Sequence, residues 1–253
     1  MTGLGDIALL AGAGLLAGVV GTAGGITSLI SYPALLAVGL PALPANVANI
    51  VALVACWPGS ALASQPELAG RGPWLRRWMP LSALGALAGS LLLLSTPSGV
   101  FARVVPFLVA AGSLALLAQP RLAALHRRGR PPGAGGVVLP LGLIAMSVYS
   151  GYFGAGAGVM VLALFLITSE PRLATANALK NMVLGAGTLV SAAAVAVLGP
   201  VDWTAVAPLG LGMFFGSTLG PRLARRLPAT LLRRLVALIG IALAIQLWIN
   251  PSG

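Results

Sequence analysis

Residues 18–25 read GVVGTAGG and residues 151–158 read GYFGAGAG, and each stretch interrupts a long apolar segment. The two segments, 7–38 and 137–168, are longer than the roughly 20 residues that one membrane crossing needs. Glycine permits backbone conformations that end a helix, and it lets a second backbone approach closely. We therefore predict that each segment forms two short helices joined by a turn at these glycines.

The composition is that of a membrane protein. Of the 253 residues, 58% are hydrophobic and only 8% are charged, which is too few to cover the surface of a soluble domain. The apolar runs show no polar alternation, so helices are the structure that satisfies their backbone in hydrocarbon. We predict an all-α integral membrane protein with apolar segments at 7–38, 45–63, 78–95, 100–118, 137–168, 174–198, 203–219 and 232–249.

Landmarks recur in the same order in the two halves of the chain. They are a glycine triplet, an Ala-Asn pair and a Gly-x3-Gly-Ser motif. In the first half they fall at Gly18, Gly21 and Gly25, at Asn46, and at Gly85 and Gly89. In the second half they fall at Gly151, Gly154 and Gly158, at Asn177, and at Gly212 and Gly216. The Gly-x3-Gly spacing favours close helix packing. The order predicts two repeats, 1–119 and 137–253, joined by a polar linker at 120–136. Each repeat is a glycine-broken helix hairpin followed by three transmembrane helices.

The arginines indicate the orientation. If each broken hairpin enters and leaves on the same side, thirteen arginines fall on one face and only Arg103 falls on the other. Positively charged loops stay in the cytoplasm, so we predict a multi-pass protein of the bacterial cytoplasmic membrane with both termini periplasmic. The second repeat is then inverted relative to the first, which is typical of secondary transporters. These loops explain the net charge of +11, and we expect no nucleic-acid partner.

Few amide or ionisable side chains lie inside the predicted spans. Asn46 and Asn49 are three residues apart, and Asn177 and Asn181 are four apart, so each pair shares a helix face. These amides either join helices or line a substrate path. Lys180 is the only lysine and lies between the second pair. It either supplies charge to a binding site or extends its ammonium group to the cytoplasmic surface.

The available chemistry favours an anion site and gives no support to an enzyme. The only histidine, His126, lies in an arginine-rich loop, and the only cysteine, Cys56, lies in an apolar run. There is no metal-ligand cluster and no phosphate-binding Gly-x4-Gly-Lys motif, so we expect no catalysis, no metal and no cofactor. The acidic residues all fall at predicted span ends, namely at Asp6, Glu67, Glu170 and Asp202.

These motifs resemble the sulfite exporter TauE/SafE family of permeases. The resemblance rests on the two glycine stretches, on Pro33 after the first of them, and on ATANALKN at 174–181, and it covers almost the whole chain. It implies transport of a small sulfur-containing or organic anion such as sulfite, a sulfonate or sulfoacetate. The first repeat departs from the second at the lysine, because the residues around Asn46 and Asn49 are apolar.

The expected substrate-binding residues are the hairpin glycines, two polar neighbours, and the asparagines and lysine that follow. They are Gly21, Thr22, Gly24, Gly25, Asn46, Asn49, Tyr152, Gly154, Gly156, Gly158, Asn177, Lys180 and Asn181. The expected partners are a small anion and membrane lipid, and a proton or sodium ion stays open as the coupling ion. Two other functions also stay open: a non-transporting membrane subunit or assembly factor, and a cation or metal transporter.

Overall fold

The structure is a computed structural model that describes residues 3–126, 136–223, 238, 241–242 and 244–249. Every regular element within these residues is a helix. The helices are α1 (Leu4–Gly24), α2 (Ser28–Ala37), α3 (Ala42–Leu53), α4 (Cys56–Ala63), α5 (Gln65–Leu68), α6 (Gly72–Ser95), α7 (Ser98–His126), α8 (Val138–Tyr152), α9 (Ala157–Thr168), α10 (Leu173–Leu198) and α11 (Trp203–Leu223). The described residues between 241 and 249 are helical as well.

Within the described residues, four helical stretches are long and apolar enough to cross a membrane: Leu4–Gly24, Ala42–Ala63, Gly72–Ser95 and Leu173–Leu198. The second of these combines α3 and α4. The helices α2, α8 and α9 are apolar but shorter. Length and composition therefore confirm the prediction of an all-α membrane protein.

Both glycine stretches break a helix, as predicted. The first helix, α1, ends at Gly24, and Gly25 follows with a φ of 79°. The second break comes after Tyr152, where α8 ends, and it contains Gly154 and Gly156 with φ of 79° and 76°. A left-handed backbone at these positions favours glycine, since a Cβ atom there would be strained.

The first break differs in detail from the expectation. Helix α1 has 21 residues, so the prediction of two short helices is wrong for its first member. Gly21 lies inside α1 and the turn begins at Gly25, because glycine only permits a break and does not require one. The second member, α2, has 10 residues and is short as expected.

One end of the molecule is marked by a cluster of charges. Glu170, in the loop between α9 and α10, pairs with Arg71 just before α6 and with Arg172 just before α10. Helices α6 and α10 therefore start at the same face, which we call the arginine face. Arg103 lies near the start of α7, after α6 has run away from that face. The other predicted loop arginines at 127, 128, 130, 225, 226, 233 and 234 lie outside the described residues.

Small residues let helices from the two halves pack closely, and they also show the helix directions. A Cβ atom on Gly85 would lie 2.9 Å from the Cβ of Ser147, and one on Gly89 would lie 2.0 Å from the carbonyl oxygen of Val148 and 2.9 Å from the amide nitrogen of Tyr152. The residue numbers of the contacting pairs increase together along both helices. Helices α6 and α8 therefore run in the same direction, away from the arginine face.

Helix α1 packs along α11 in the same manner. A Cβ atom on Gly14 would lie 2.2 Å from the carbonyl oxygen of Leu209, and one on Gly18 would lie 2.5 Å from that of Met213. Helix α4 runs parallel to α11 too, because Cys56 at its start lies against Met213 and Gly59, later in α4, meets Ser217, later in α11. Since α4 leads through α5 to the arginine face, α1 and α11 both run toward that face. The packing role predicted for the Gly-x3-Gly motifs is confirmed.

Candidate functional site

The two helix breaks contact each other. A Cβ atom on Gly25 would lie 2.5 Å from the carbonyl carbon of Gly158, and one on Gly158 would lie 2.5 Å from the Cα of Gly25. Only two glycines permit this approach, because any side chain would overlap the opposite backbone. The residue before the second turn, Phe153, is 1% exposed and packs edge-on against Tyr32 at 5.2 Å between ring centroids. The breaks are thus held together by backbone contact and aromatic packing.

A cavity of about 90 Å³ lies beside this contact. It is large enough for several waters or a small anion, since one water needs roughly 10–15 Å³ of such cavity volume. The lining comes from both broken hairpins and from α3, α4 and α10: Gly21, Thr22, Gly25, Thr27, Ser28, Leu53, Cys56, Trp57, Ser60, Ser150, Gly154, Ala157, Gly158, Lys180, Asn181, Leu184, Gly185 and Thr188. No Asp, Glu or His is among these lining residues.

Seven residues of the predicted site line this cavity, namely Gly21, Thr22, Gly25, Gly154, Gly158, Lys180 and Asn181. Lys180 is the most informative of them because it is 1% exposed. Its Nζ donates a hydrogen bond to Oδ1 of Asn177 at 2.8 Å, and no ion pair of Lys180 is found with the acidic residues that the structure describes. An ammonium group normally enters such a site only with a charge partner.

The asparagines of α10 hold the end of α1. Asn177 and Asn181 both donate through Nδ2 to the carbonyl oxygen of Thr22, at 2.9 and 3.1 Å. Carbonyls in the last turn of a helix lack intrahelical donors, so these amides act as a C-terminal cap supplied by the other half of the chain. Asn177 reaches the cavity only through its bond to Lys180, whereas Asn181 lines it directly.

Asn46 makes the corresponding contact in the opposite direction. It is fully buried, and its Nδ2 donates to the carbonyl oxygen of Tyr152, the last residue of α8, at 2.9 Å. Its Oδ1 is buried without a hydrogen-bond partner. Asn46 lies outside the cavity lining, so in this structure its amide joins helices across the two halves.

Asn49 is also buried outside the cavity lining, but it touches a residue that does line it. The hydroxyl of Ser31 donates to Oδ1 of Asn49, and Nδ2 of Asn49 donates to the Ser28 hydroxyl oxygen at 3.1 Å. Because Ser28 accepts this bond, its own hydroxyl hydrogen points elsewhere. Ser28 lines the cavity, and it was not predicted from the sequence.

Of the remaining predicted residues, Gly24, Gly156 and Tyr152 lie near the breaks but outside the cavity lining. A Cβ atom on Gly156 would lie 2.9 Å from Gly112 in α7, so this glycine serves packing. Gly24 has open space around it, with its nearest neighbour 4.0 Å from an added Cβ atom. Tyr152 directs its hydroxyl toward Oγ1 of Thr96 at 3.4 Å. Thr22 lines the cavity, although its hydroxyl donates back to the carbonyl oxygen of Gly18.

The principal cavity residue that sequence reasoning missed is Trp57. It lies in an apolar run, and a tryptophan there reads as a packing or interface residue. A signal was present in the glycines of α10, because Gly185 leaves room for the indole: a Cβ atom at Gly185 would lie 2.1 Å from Cδ1 of Trp57. Without the structure, nothing paired that glycine with α4.

No group of three or more His, Cys, Asp or Glu that could hold a metal ion occurs within the part of the chain that the structure describes. His126 is the last residue of α7, and its side chain is not among those described. Cys56 is a free cysteine that lines the cavity.

A chain with several helices long and apolar enough to cross a membrane, and with two helix hairpins whose breaks meet beside a polar cavity, has the architecture of a membrane transporter. The chain belongs to the Sulfite exporter TauE/SafE family, whose sequence model matches residues 8–247.

The chain is similar to several curated proteins over most of its length. It is 30% identical to a probable membrane transporter protein, ORF9, of Sinorhizobium sp, over 97% of this chain and 94% of that protein. It is 26% identical to the probable membrane transporter protein YfcA of Escherichia coli K12, over 94% of this chain and 88% of that protein. A probable membrane transporter protein of Haemophilus influenzae is 28% identical, over 97% and 95%. No solved structure matches the chain.

Proposed function

We propose that this transporter is a secondary permease for a small anion, of the class of sulfite, sulfonates and related organic acids, and that the anion binds in the cavity beside Lys180. The observation that carries the proposal is the buried ammonium group of Lys180, which lines a cavity without a lining carboxylate. A bound anion would supply the missing charge partner. A cation would meet an uncompensated positive charge there, which argues against a cation or metal transporter.

The broken helices add to this electrostatic preference. Ser28 and Gly158 lie in the first turns of α2 and α9, and both line the cavity. The first turn of a helix has amide groups without intrahelical acceptors and carries the positive end of the helix dipole. Two such turns and one ammonium group create a positive environment for an anion. These contributions come from both halves of the chain.

Alternating access would follow from an inverted-repeat arrangement, which we include in the proposal. Its limits are the predicted ones, 1–119 and 137–253 around the linker 120–136. The opposite directions of α1 and α8, each the first helix of its half, support inversion. So does the exchange of contacts, in which α1 packs on α11 of the second half and α8 packs on α6 of the first. One half could then move against the other around the cavity.

The orientation in the proposal follows from the arginine face. Arg71 and Arg172 lie together there, and Arg76 and Arg77 are in the first turns of α6. The positive-inside rule makes this face cytoplasmic and both termini periplasmic in the bacterial cytoplasmic membrane. A proton and a sodium ion are both kept as candidate coupling ions.

Ligand-dependent thermal stability of the purified protein tests the proposal. A ligand that binds only the folded state raises the melting temperature with its concentration. We expect sulfite, sulfoacetate or a short sulfonate to raise it, and choline or a divalent metal chloride at matched ionic strength to leave it unchanged. Stabilisation by a cation alone would contradict the anion site, and a non-transporting subunit would respond to none of these solutes.

A further inference from the structure

We infer that Trp57 is a substrate-binding residue, which donates its indole N–H to the same anion that Lys180 binds. The inference rests on the proposed anion permease and adds a second, neutral donor to its site.

The indole nitrogen of Trp57 is a buried donor without an acceptor. Its Nε1 has no hydrogen-bond partner, although the residue lines the cavity. Burying a donor unpaired is unfavourable, and buried Trp N–H groups usually find an acceptor. In a cavity that is large enough for a small anion, a ligand oxygen is the acceptor that this donor lacks.

The position of the indole is fixed from two sides. The pyrrole part of the indole packs against Gly185 of α10, where an added Cβ atom would lie 2.1 Å from Cδ1. The backbone of α4 is held against α11 by Gly59, and the hydroxyl of Ser60 donates to the carbonyl oxygen of Trp57 at 3.0 Å. A donor held in this way needs little reorganisation when the ligand binds.

Lys180 and Trp57 reach the cavity from different helices, α10 and α4. Both groups donate hydrogen bonds and neither accepts one. A polyatomic oxyanion can meet two such donors with two different oxygens, and it has no proton that needs an acceptor. The pair therefore selects a deprotonated oxyanion over its protonated form and over a neutral alcohol of similar size.

The test compares Trp57→Phe with wild type in the full-length purified protein, using sulfite as the probe. Phenylalanine keeps an aromatic ring over Gly185 but removes the N–H. We expect the dissociation constant for sulfite to rise about tenfold or more, as for the loss of a hydrogen bond to a charged group. We expect the ligand-free protein to keep or slightly raise its melting temperature, because an unpaired buried donor is removed. A purely structural tryptophan would show the opposite pattern.

Two further variants keep the test decisive. Gly185→Ala keeps the N–H of Trp57 but displaces the indole, because the added Cβ would lie 2.1 Å from Cδ1 and 2.7 Å from Nε1. We expect it to weaken sulfite binding as well. Trp78→Phe is the matched control, since Trp78 is buried in α6 away from the cavity lining, and it should bind like wild type. If wild type binds sulfite and Trp57→Phe binds it equally well, the inference is wrong while the anion site stands. If wild type binds no anion, both fail.

Discussion

Lys180, the proposed anion-binding residue, depends on a neighbouring side chain for its position. Its only described hydrogen-bond partner is Asn177, an amide that also caps α1 through Thr22. The ammonium group is therefore positioned by the same side chain that holds the first helix break. The reading of Lys180 as a residue extending to the cytoplasmic surface disagrees with its 1% exposure.

We expect Asn49 to affect anion binding through Ser28, whose hydroxyl oxygen accepts a hydrogen bond from Nδ2 of Asn49. Ser28→Ala should weaken sulfite binding about tenfold, because a hydroxyl donor to the anion is lost. Asn49→Ala should weaken it in wild type, because the Ser28 hydroxyl loses the bond that orients it. In a double-mutant cycle, Asn49→Ala should cost nothing further once Ser28 is alanine. Titration calorimetry on the four proteins measures the coupling, and additive losses would show that Asn49 does not act through Ser28.

The contact between the two breaks is the feature that matters most at the scale of elements. It joins α1 and α2 to α9 through Gly25 and Gly158, with no side chain between them. Because the cavity lies beside it, a change that separates the two breaks alters the site as well as the stability.

Substitution of Gly158 tests this contact. Gly158→Ala places a methyl group 2.5 Å from the Cα of Gly25, and overpacking of this kind costs about 1–3 kcal/mol. We expect a lower melting temperature and weaker anion binding. Gly24→Ala is the matched control, because it adds the same methyl group in open space one residue before Gly25. Equal melting temperatures for the two variants would mean that the breaks do not depend on close contact.

The charge cluster that joins the starts of α6 and α10 gives a pH-dependent prediction. Burial raises the pKa of Glu170, but hydrogen bonds from Arg172 and the charges of Arg71 and Arg172 outweigh it, so the pKa lies below its ordinary value. A carboxylate with a lowered pKa stabilises the fold above its ordinary pKa, and this contribution is lost as the pH falls through the folded-state value.

Glu170→Gln should therefore lower the melting temperature at pH 7, by an amount corresponding to about 1 kcal/mol because the arginines are partly exposed. The gap between wild type and variant should narrow in melts at a pH of about 4 and below. A difference in melting temperature that is the same at both pH values would show that the ionised form of Glu170 does not stabilise the contact between the starts of α6 and α10.

Sequence reasoning reached the breaks but not all of their partners. Segment length and glycine content located Gly25 and Gly154 because both signals are local. The roles of Asn46 and Asn177 depend on which carbonyl lies opposite in the other half, and no local pattern encodes that pairing. Trp57 was missed for the same reason, since its unpaired N–H becomes visible only when α4 packs beside Gly185 of α10.

At the scale of the whole molecule, the helix contacts between the two halves fix the direction of each helix relative to the arginine face. Helices α1 and α11 run toward the arginine face, and α6, α8 and α10 run away from it. Helix α1 begins on the side opposite the arginine face, and Trp248 packs on Phe107 near the start of α7, on that same side. That both termini lie in the periplasm stays a prediction.

Reporter fusions test this orientation. Alkaline phosphatase fused after the C-terminus should be active, because this enzyme folds only in the periplasm. A green fluorescent protein fused there should stay dark, because it does not become fluorescent in the periplasm. The matched control is a fusion after His126, at the end of α7, which should give the reverse result. Fluorescence from the full-length fusion would place the C-terminus in the cytoplasm. It would contradict both the proposed orientation and the assignment of the arginine face to the cytoplasm.

We propose above all that the buried Lys180 in this cavity binds the anion that is carried across the membrane. Flux of labelled sulfite and sulfoacetate into proteoliposomes tests it most directly, with wild type, Lys180→Gln and Lys180→Arg at matched protein density. We expect saturable, anion-selective uptake by wild type, loss of most uptake with Gln, which removes the charge, and an intermediate rate with Arg, which keeps the charge in a different shape. Wild-type uptake by the Gln variant, or flux of a cation in place of the anions, would contradict the account.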